Sequence, residues 1–176
     1  NFFDSIVIDA PCSGSGLFRR DPGAIEEWSE QNVQHCSQRQ QRIISDVLPA
    51  LKKNGILIYS TCSYSEQENE DILDWIINEL ALESVRLEVP SEWNITETNS
   101  AKEGAFGYRF WPDKIKGEGF FMACLRKTEG NENSEKQFRK SRIEKLNKFE
   151  EAIAKPWLNN ESDIQLFKLG DSILAM

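Results

Sequence analysis

The chain has 176 residues, of which 39% are hydrophobic, and a formal net charge of -8. This length allows one sizeable core, as one domain or as one domain with part of another. No apolar run approaches the roughly 20 residues of a membrane span and no secretory signal opens the chain, so we expect a soluble, cytoplasmic protein without a membrane partner, and a monomer.

The charge is unevenly distributed along the chain. Its acidic excess argues against a polyanionic partner, because phosphate binding depends on Lys and Arg. However, residues 65–83 carry seven acidic side chains and no basic one, whereas residues 136–155 carry seven basic and three acidic side chains. One acidic segment therefore explains most of the imbalance, and RNA is not excluded.

The cysteines do not form a metal or disulfide pattern. There are four, widely spaced and without a C-x-x-C pair, and His35 is the one histidine. We therefore expect no metal site and free thiols, as in a reducing compartment. The four are Cys12, Cys36, Cys62 and Cys124.

The first third of the chain alternates strand and helix patterns. Residues 3–9 end in a β-branched run that predicts a buried strand, and a loop rich in glycine follows. A short helix is predicted over 24–28. A longer helix begins after the cap Ser29 and is expected to stop at Asn54-Gly55.

Residues 55–60 predict the second buried strand, which ends in a turn at 61–64. Ser65-Glu-Gln-Glu68 has the capping-box spacing and predicts the start of the next helix. Further short strands are predicted, the last two as an antiparallel edge pair: 85–89, 104–111 and 119–126.

The remainder of the chain indicates a linker and a second domain. A charged, helix-compatible stretch runs over 134–155, and 164–175 predicts a hairpin. We therefore divide the chain into residues 1–127, a linker with a basic helix over 128–156, and the start of a small β domain over 157–176.

Strand, helix, strand, helix predicts an α/β fold with a mostly parallel sheet, in which functional loops gather at the carboxyl ends of the strands. Cys12 and Cys62 both follow such ends, which favours a thiolate site over structural packing. Asp9 ends the first strand, as a ligand-binding carboxylate or as a simple cap. Cys36 and Cys124 are expected to pack structurally.

Two other mechanisms fail on spacing. Gly14-Ser-Gly16 is not the G-x-S-x-G elbow of hydrolases, because Ser15 lacks glycine at both offsets. The same glycines resemble half a phosphate cradle, but no G-x-G-x-x-G and no Gly-Lys-Ser/Thr ending accompanies them. The cysteine pair therefore remains the main candidate for chemistry.

Three segments together resemble the Nop/Sun family of RNA cytosine-5 methyltransferases over about residues 1–127. The first contains Asp-Ala-Pro-Cys and Arg-Arg-Asp-Pro, the second Ser-Thr-Cys-Ser-Tyr and Glu-Asn-Glu, and the third Tyr-Arg-Phe-Trp-Pro and Lys-Gly-Glu-Gly-Phe-Phe. The resemblance implies a partial Rossmann-like methyltransferase fold with an antiparallel edge hairpin, followed by a linker helix. These segments are 9–22, 59–70 and 108–121.

The resemblance also implies site residues. Cys62 corresponds to the nucleophile that adds to carbon 6 of cytosine, and Cys12 to the cysteine that assists release of the covalently held RNA. DNA cytosine-5 methyltransferases use the cysteine of Pro-Cys as nucleophile, so the reverse assignment stays open. Asp9 and Pro11 correspond to the site of the methyl donor, S-adenosylmethionine, or of the target base.

RNA is the implied partner, and four cations are candidates for its phosphates, with a plain solvated surface as the alternative for each: Arg19, Arg20, Arg109 and Lys116. Residues 157–176 resemble the start of the PUA-like domain of bacterial ribosomal members, which favours ribosomal RNA. The alternative function is a non-catalytic RNA-binding or ribosome-assembly protein that keeps the fold.

Two departures from the family pattern bear on activity. Asp113 stands where the family usually has histidine after Trp-Pro. The donor-binding glycine turn, the ribose-binding acid and the target-positioning lysine normally lie upstream of Asp9. We therefore expect this segment alone neither to bind S-adenosylmethionine tightly nor to methylate RNA.

Overall fold

A computed structural model describes residues 2–129, 144–154, 156, 166–169 and 172–175. The chain forms two compact units, 1–134 and 135–176. In the described ranges, no helix is long and apolar enough to cross a bilayer. The predicted linker over 128–156 lies partly outside the described residues, and the predicted domain boundaries stay predictions.

The first unit begins with the predicted strand, helix, strand order. Its elements are β1 (Phe3–Asp9), α1 (Pro22–Glu27), α2 (Glu30–Val47) and β2 (Leu51–Thr61). β1 and β2 are parallel, with Ile6 opposite Leu57 and Asp9 opposite Ser60. Both strands therefore end at the same edge of the sheet, which places the loops that follow them side by side.

The rest of the sheet is antiparallel. It contains β3 (Leu82–Ser84), β4 (Thr96–Asn99), β5 (Phe106–Phe110) and β6 (Phe120–Lys127), and α3 (Glu70–Leu80) precedes β3. The strand order is β1-β2-β6-β5-β4, and β3 pairs with β6. The α/β class is confirmed, but the described sheet is mixed rather than mostly parallel, since β1 and β2 form the one parallel pair among its described strands.

Both long helices and the central strands share one core. Its fully buried side chains lie on α2, α3, β2 and β6, and they include Ile44, Leu57, Tyr59, Ile72, Leu73, Ile76 and Phe121. β1 differs from its prediction as a buried strand, because Ile8 is 7% exposed whereas its neighbour Val7 is 67% exposed. Only one face of β1 therefore belongs to the described core.

The prediction that Asn54-Gly55 ends a helix is wrong, because the pair lies inside β2. α2 ends at Val47, and a short 3-10 turn with Pro49 leads directly into β2. Asn54 has a φ of 62°, and the pairing of β1 with β2 shifts register between Phe3 and Ser5. Asn54 therefore forms a bulge inside β2, where its left-handed backbone conformation is used in a strand and not at a helix end.

The capping-box prediction at Ser65 is wrong. The Ser65 side chain makes no capping bond, residues 66–68 form a 3-10 turn, and α3 starts after Asn69. Glu68 is fully buried, so it is not the exposed partner of a capping serine. The predicted strand over 85–89 is also wrong, since β3 ends at Ser84; β5 and β6 pair as predicted, and β4 was not foreseen.

The second unit contains a small sheet of β7 (Glu144–Lys145), β8 (Leu166–Leu169) and β9 (Ser172–Ala175), together with α4 (Lys148–Ala154). β8 and β9 are antiparallel, which confirms the predicted hairpin. The helix predicted over 134–155 is partly wrong, because 144–145 form a strand. Residues 130–143 lie outside the described part of the chain.

Candidate active site

The two loops that carry Cys12 and Cys62 meet at the common edge of β1 and β2. Cys62 directly follows the last residue of β2, and Cys12 lies three positions after the end of β1. Their sulfur atoms are 3.0 Å apart, and both thiols are free and half-buried. The parallel pairing of β1 with β2 thus unites two cysteines separated by 50 positions.

The backbone joins these loops closely. The Gly16 amide donates to the Cys62 carbonyl at 2.8 Å, and the Gly119 amide donates to the Gly16 carbonyl at 2.9 Å. A Cβ atom on Gly16 would lie 2.4 Å from the Gly119 oxygen and 2.7 Å from the Cys62 oxygen. Only glycine permits this approach, so Gly16 helps to fix the cysteine loops relative to each other.

Polar side chains order the turn that follows Cys62. Thr61 donates its hydroxyl to Asn69 Oδ1 at 2.6 Å, and Asn69 Nδ2 donates to the Ser63 carbonyl at 2.8 Å. Ser15 Oγ accepts from the Tyr64 amide at 2.8 Å. The turn is therefore held by side chains of β2, of the first loop and of the residue before α3, which give its backbone groups hydrogen-bond partners.

The thiols influence each other's ionisation. A hydrogen bond from Cys12 lowers the pKa of Cys62 to about 7, although burial and the carboxylates of Asp9 and Glu68 oppose that change. The same contact, together with burial, raises the pKa of Cys12 well above that of an ordinary thiol. Of the two thiols, Cys62 is therefore the one whose ionisation the contact favours near neutral pH.

We expect iodoacetamide to alkylate Cys62 with a rate that rises with pH around a midpoint of about 7, because the thiolate is the reacting form. Cys12→Ala removes the hydrogen bond that lowers this pKa, so the midpoint should move to higher pH. Peptide mass spectrometry measures both rates. Cys36 is an internal comparison, since burial raises its pKa. An unchanged midpoint in Cys12→Ala would contradict the coupling.

An open cavity of about 750 Å³ lies beside the thiol pair. It is lined by both cysteines and by residues of the first loop, α1 and α2, and its acidic residues are Asp9, Asp21 and Glu27, with Arg39 as the basic one. The site combines a nucleophilic sulfur with a mainly acidic wall. In the described part of the chain, no cluster of side chains suits a metal ion.

Asp9 and Pro11 both line this cavity. Asp9 is exposed at the end of β1, and its Oδ1 accepts a hydrogen bond from Ser60 at 3.3 Å. The Pro11 carbonyl accepts from Gln40 Nε2 at 3.0 Å. The Asp9 carboxylate thus retains acceptor capacity toward the cavity, whereas Pro11 is fixed from α2.

Comparison with known proteins identifies the family. The family model described as 16S rRNA methyltransferase RsmB/F matches residues 1–126. The chain belongs to the RsmB/F methyltransferase family. The resemblance to Nop/Sun RNA methyltransferases, seen in the cysteine motifs, is thereby confirmed.

Relatives of this RsmB/F member cover far more sequence than the chain does. Ribosomal RNA small subunit methyltransferase F of Psychromonas ingrahamii is 36% identical over 127 residues, which are 72% of this chain and 26% of the relative. The protein of the same name from Vibrio vulnificus is 32% identical over 166 residues, 93% of this chain and 35% of the relative. The chain thus spans much less than half of either relative.

Two solved structures share the fold of this RsmB/F member. NSun6 from Pyrococcus horikoshii with SFG is 28% identical, with a TM-score of 0.56 over 71% of this chain and 30% of that chain. A methyltransferase homolog protein from Pyrococcus horikoshii is 31% identical, with a TM-score of 0.57 over 72% and 39%. The partial Rossmann-like methyltransferase fold is therefore confirmed.

Three of the four predicted phosphate-binding cations of this RsmB/F member are exposed: Arg19, Arg20 and Lys116. Arg19 donates to the Gly117 carbonyl at 2.5 Å, which joins the first loop to the loop that carries Lys116.

Arg109 does not lie at the surface. It is 6% exposed, and its guanidinium donates to both carboxylate oxygens of Glu70 at 2.8 and 2.5 Å. A buried cation already paired by two hydrogen bonds has an internal structural role, so the proposed phosphate contact of Arg109 has no support in this geometry.

Gln40, Glu68 and Glu70 lie near the site but were not predicted from the sequence. All three are buried polar residues, and two of them belong to the quoted Glu-Asn-Glu segment. The available signal was Gln40, which lies between Val33 and Ile44 on the buried face of α2. Such positions are costly unless the polar groups have partners.

Proposed function

We propose that this chain belongs to an enzyme that transfers a methyl group from S-adenosylmethionine to carbon 5 of a cytosine in ribosomal RNA. The observation that carries the proposal is the 3.0 Å contact between two free thiols beside an open cavity. One thiol alone would suit many nucleophilic reactions. A thiol pair, in which one sulfur is charged and the other protonated, suits covalent addition followed by release.

Cys62 is the proposed nucleophile. Its thiolate adds to carbon 6 of cytosine, and carbon 5 then bonds to the methyl group while the bond between that methyl group and the donor sulfur breaks. Solvent in the open cavity accepts the proton from carbon 5, and the electron pair of the broken C–H bond expels the Cys62 sulfur as a thiolate and restores the aromatic ring. Cys12, whose sulfur lies nearest to the leaving thiolate, assists that release.

The cavity walls suit the donor. S-adenosylmethionine supplies the methyl group and carries positive charge on its sulfonium and amino groups, and the acidic residues Asp9, Asp21 and Glu27 line the same cavity as the thiols. Asp9 at the end of β1 is the proposed donor- or base-contacting carboxylate, and Pro11 shapes that wall. Opposite charges at short range favour binding.

The proposed RNA contacts are Arg19, Arg20 and Lys116, which are exposed, and Arg109 is left out because it is buried. A base must leave its stack to bring carbon 6 to a half-buried sulfur, so the target cytosine is unpaired or flipped. The names of the relatives favour small-subunit ribosomal RNA. Cytoplasmic location and a monomeric state stay predictions.

The test is to incubate the intact protein with small-subunit ribosomal RNA and S-adenosylmethionine that carries a deuterated methyl group. Nucleoside mass spectrometry should show labelled 5-methylcytidine and no labelled 5-methyluridine, because the thiol chemistry activates carbon 5 and the site is proposed for cytosine. RNA binding without label transfer would favour the non-catalytic alternative.

A further inference from the structure

The turn before α3 contains a carboxylate in an unusual setting. Glu68 is 0% exposed, and no ion pair involves it among the described residues. An ionised carboxylate without a cation is costly to bury, so it persists only where several hydrogen-bond donors surround it.

Those donors come from the two residues that follow the cysteines. Glu68 Oε2 accepts hydrogen bonds from Ser13 Oγ at 2.5 Å and from Ser63 Oγ at 2.6 Å. Glu68 Oε1 accepts from the Ser13 amide at 2.8 Å. Ser13 adjoins Cys12 and Ser63 adjoins Cys62, so one carboxylate holds both cysteine loops.

The core fixes the carboxylate in turn. The Tyr59 hydroxyl donates to the Glu68 carbonyl at 2.6 Å. Gln40 Nε2 donates both to Glu68 Oε1 at 3.2 Å and to the Pro11 carbonyl at 3.0 Å. β2 and α2 therefore hold Glu68 from two directions, and the contacts reach the residues on both sides of Cys12.

We propose that Glu68 is a positioning residue that sets the separation of the Cys12 and Cys62 sulfurs by holding Ser13 and Ser63 on one carboxylate. The effect of Glu68 on catalysis rests on the proposed function, whereas its effect on the thiol pair can be measured by alkylation of Cys62 without methyl transfer. The described hydrogen bonds of the Glu68 carboxylate go to Ser13, Ser63 and Gln40 and not to either sulfur, so it acts through the residues that adjoin the cysteines.

The charge of Glu68 has a second, opposing effect, because its field raises the pKa of Cys62 while the Cys12 contact lowers it. Shortening the Glu68 side chain should therefore raise the pKa of Cys62, whereas neutralising it should lower that pKa. Titratable groups surround the thiol pair from β1, the first loop, α1, α2, β2 and the 3-10 turn: Asp9, Asp21, Glu27, Cys36, Arg39, Tyr59 and Glu68.

Glu68→Asp in the intact protein keeps the charge but shortens the reach. We expect the sulfurs to separate, the alkylation midpoint of Cys62 to move to higher pH, and kcat for methyl transfer to fall by about 10²-fold. The KM for S-adenosylmethionine should stay unchanged. Glu66→Asp is the matched control, because Glu66 is exposed in the same turn.

Glu68→Gln keeps the length, and its amide still bridges both serines, whose hydroxyls accept as well as donate. We expect a smaller loss of kcat than in Glu68→Asp, and an alkylation midpoint at lower pH than in the wild type, because a nearby negative charge is gone. Glu66→Gln is the control for charge alone.

The proposal would be overturned if both Glu68 variants kept the wild-type kcat and the wild-type pH midpoint of Cys62 alkylation. It would also be overturned if that midpoint shifted in the same direction in both variants. If Glu68→Asp does not fold, a Glu68→Gln midpoint that is unchanged or higher would overturn it. If the wild-type protein transfers no methyl group, the proposed function fails while alkylation still decides the role of Glu68.

Discussion

Replacing Cys62 by alanine in the intact protein should reduce methyl transfer to RNA by at least about 10⁴-fold, the scale expected when the nucleophile of a covalent mechanism is removed. Cys62 is the thiol whose pKa is lowered, and its sulfur borders the cavity. No covalent protein–RNA adduct should form. Transfer of labelled methyl groups and a denaturing gel measure the two results.

Cys12→Ala should give a different failure. The bond between Cys62 and cytosine still forms, but release is impaired, so a covalent RNA adduct should accumulate while turnover falls. Cys36→Ala is the matched control, because Cys36 lies on α2 and bonds only weakly to Asn32. Adduct in Cys62→Ala and none in Cys12→Ala would exchange the two roles.

The position of the thiol pair was predictable from the sequence. Two β-rich strands separated by a long helix predict parallel neighbours, and parallel neighbours bring their carboxyl ends together. Cys12 and Cys62 therefore had to lie near each other once β1 and β2 were recognised. The 3.0 Å contact depends in addition on Gly16, whose close approach to Cys62 no local pattern encodes.

Glu68 and Asn54 show why the remaining features were not predictable. Ser-x-x-Glu fits a capping box, yet the partners of Glu68 include Ser13, which lies 55 positions away. Asn-Gly fits a helix stop, yet Pro49 had already ended α2 and Asn54 turns within a bulge of β2. In both cases a short pattern permits two structures, and a distant tertiary contact selects one.

Strand order was also beyond the local pattern. The spacing of 104–111 and 119–126 predicted a hairpin, and this hairpin is present. Its second strand, β6, pairs with β2 along Ile56–Thr61, which makes the sheet mixed. Hydrophobic runs identify strands, but pairing depends on which edges meet after the helices have packed.

Arg109→Met should destabilise the protein by about 3–5 kcal/mol, because it leaves the buried Glu70 carboxylate without its cation. Both side chains are less than a tenth exposed. The Glu70 carboxylate would keep the hydrogen bond that it accepts from the Thr98 hydroxyl at 2.8 Å. Urea unfolding of the intact protein measures the loss as a lower midpoint.

Two comparisons identify the cause of that loss. Arg126→Met breaks the Arg126–Glu83 pair, whose side chains are 46% and 52% exposed, and it should cost less than about 1 kcal/mol. Arg109→Met combined with Glu70→Leu removes both buried charges and should recover more than half of the loss, because much of the cost belongs to the unpaired carboxylate.

Equal losses in Arg109→Met and Arg126→Met would show that burial of the Glu70 pair is unimportant. A double variant as unstable as Arg109→Met would instead assign the effect to the Arg109 packing against Trp111 and Phe121.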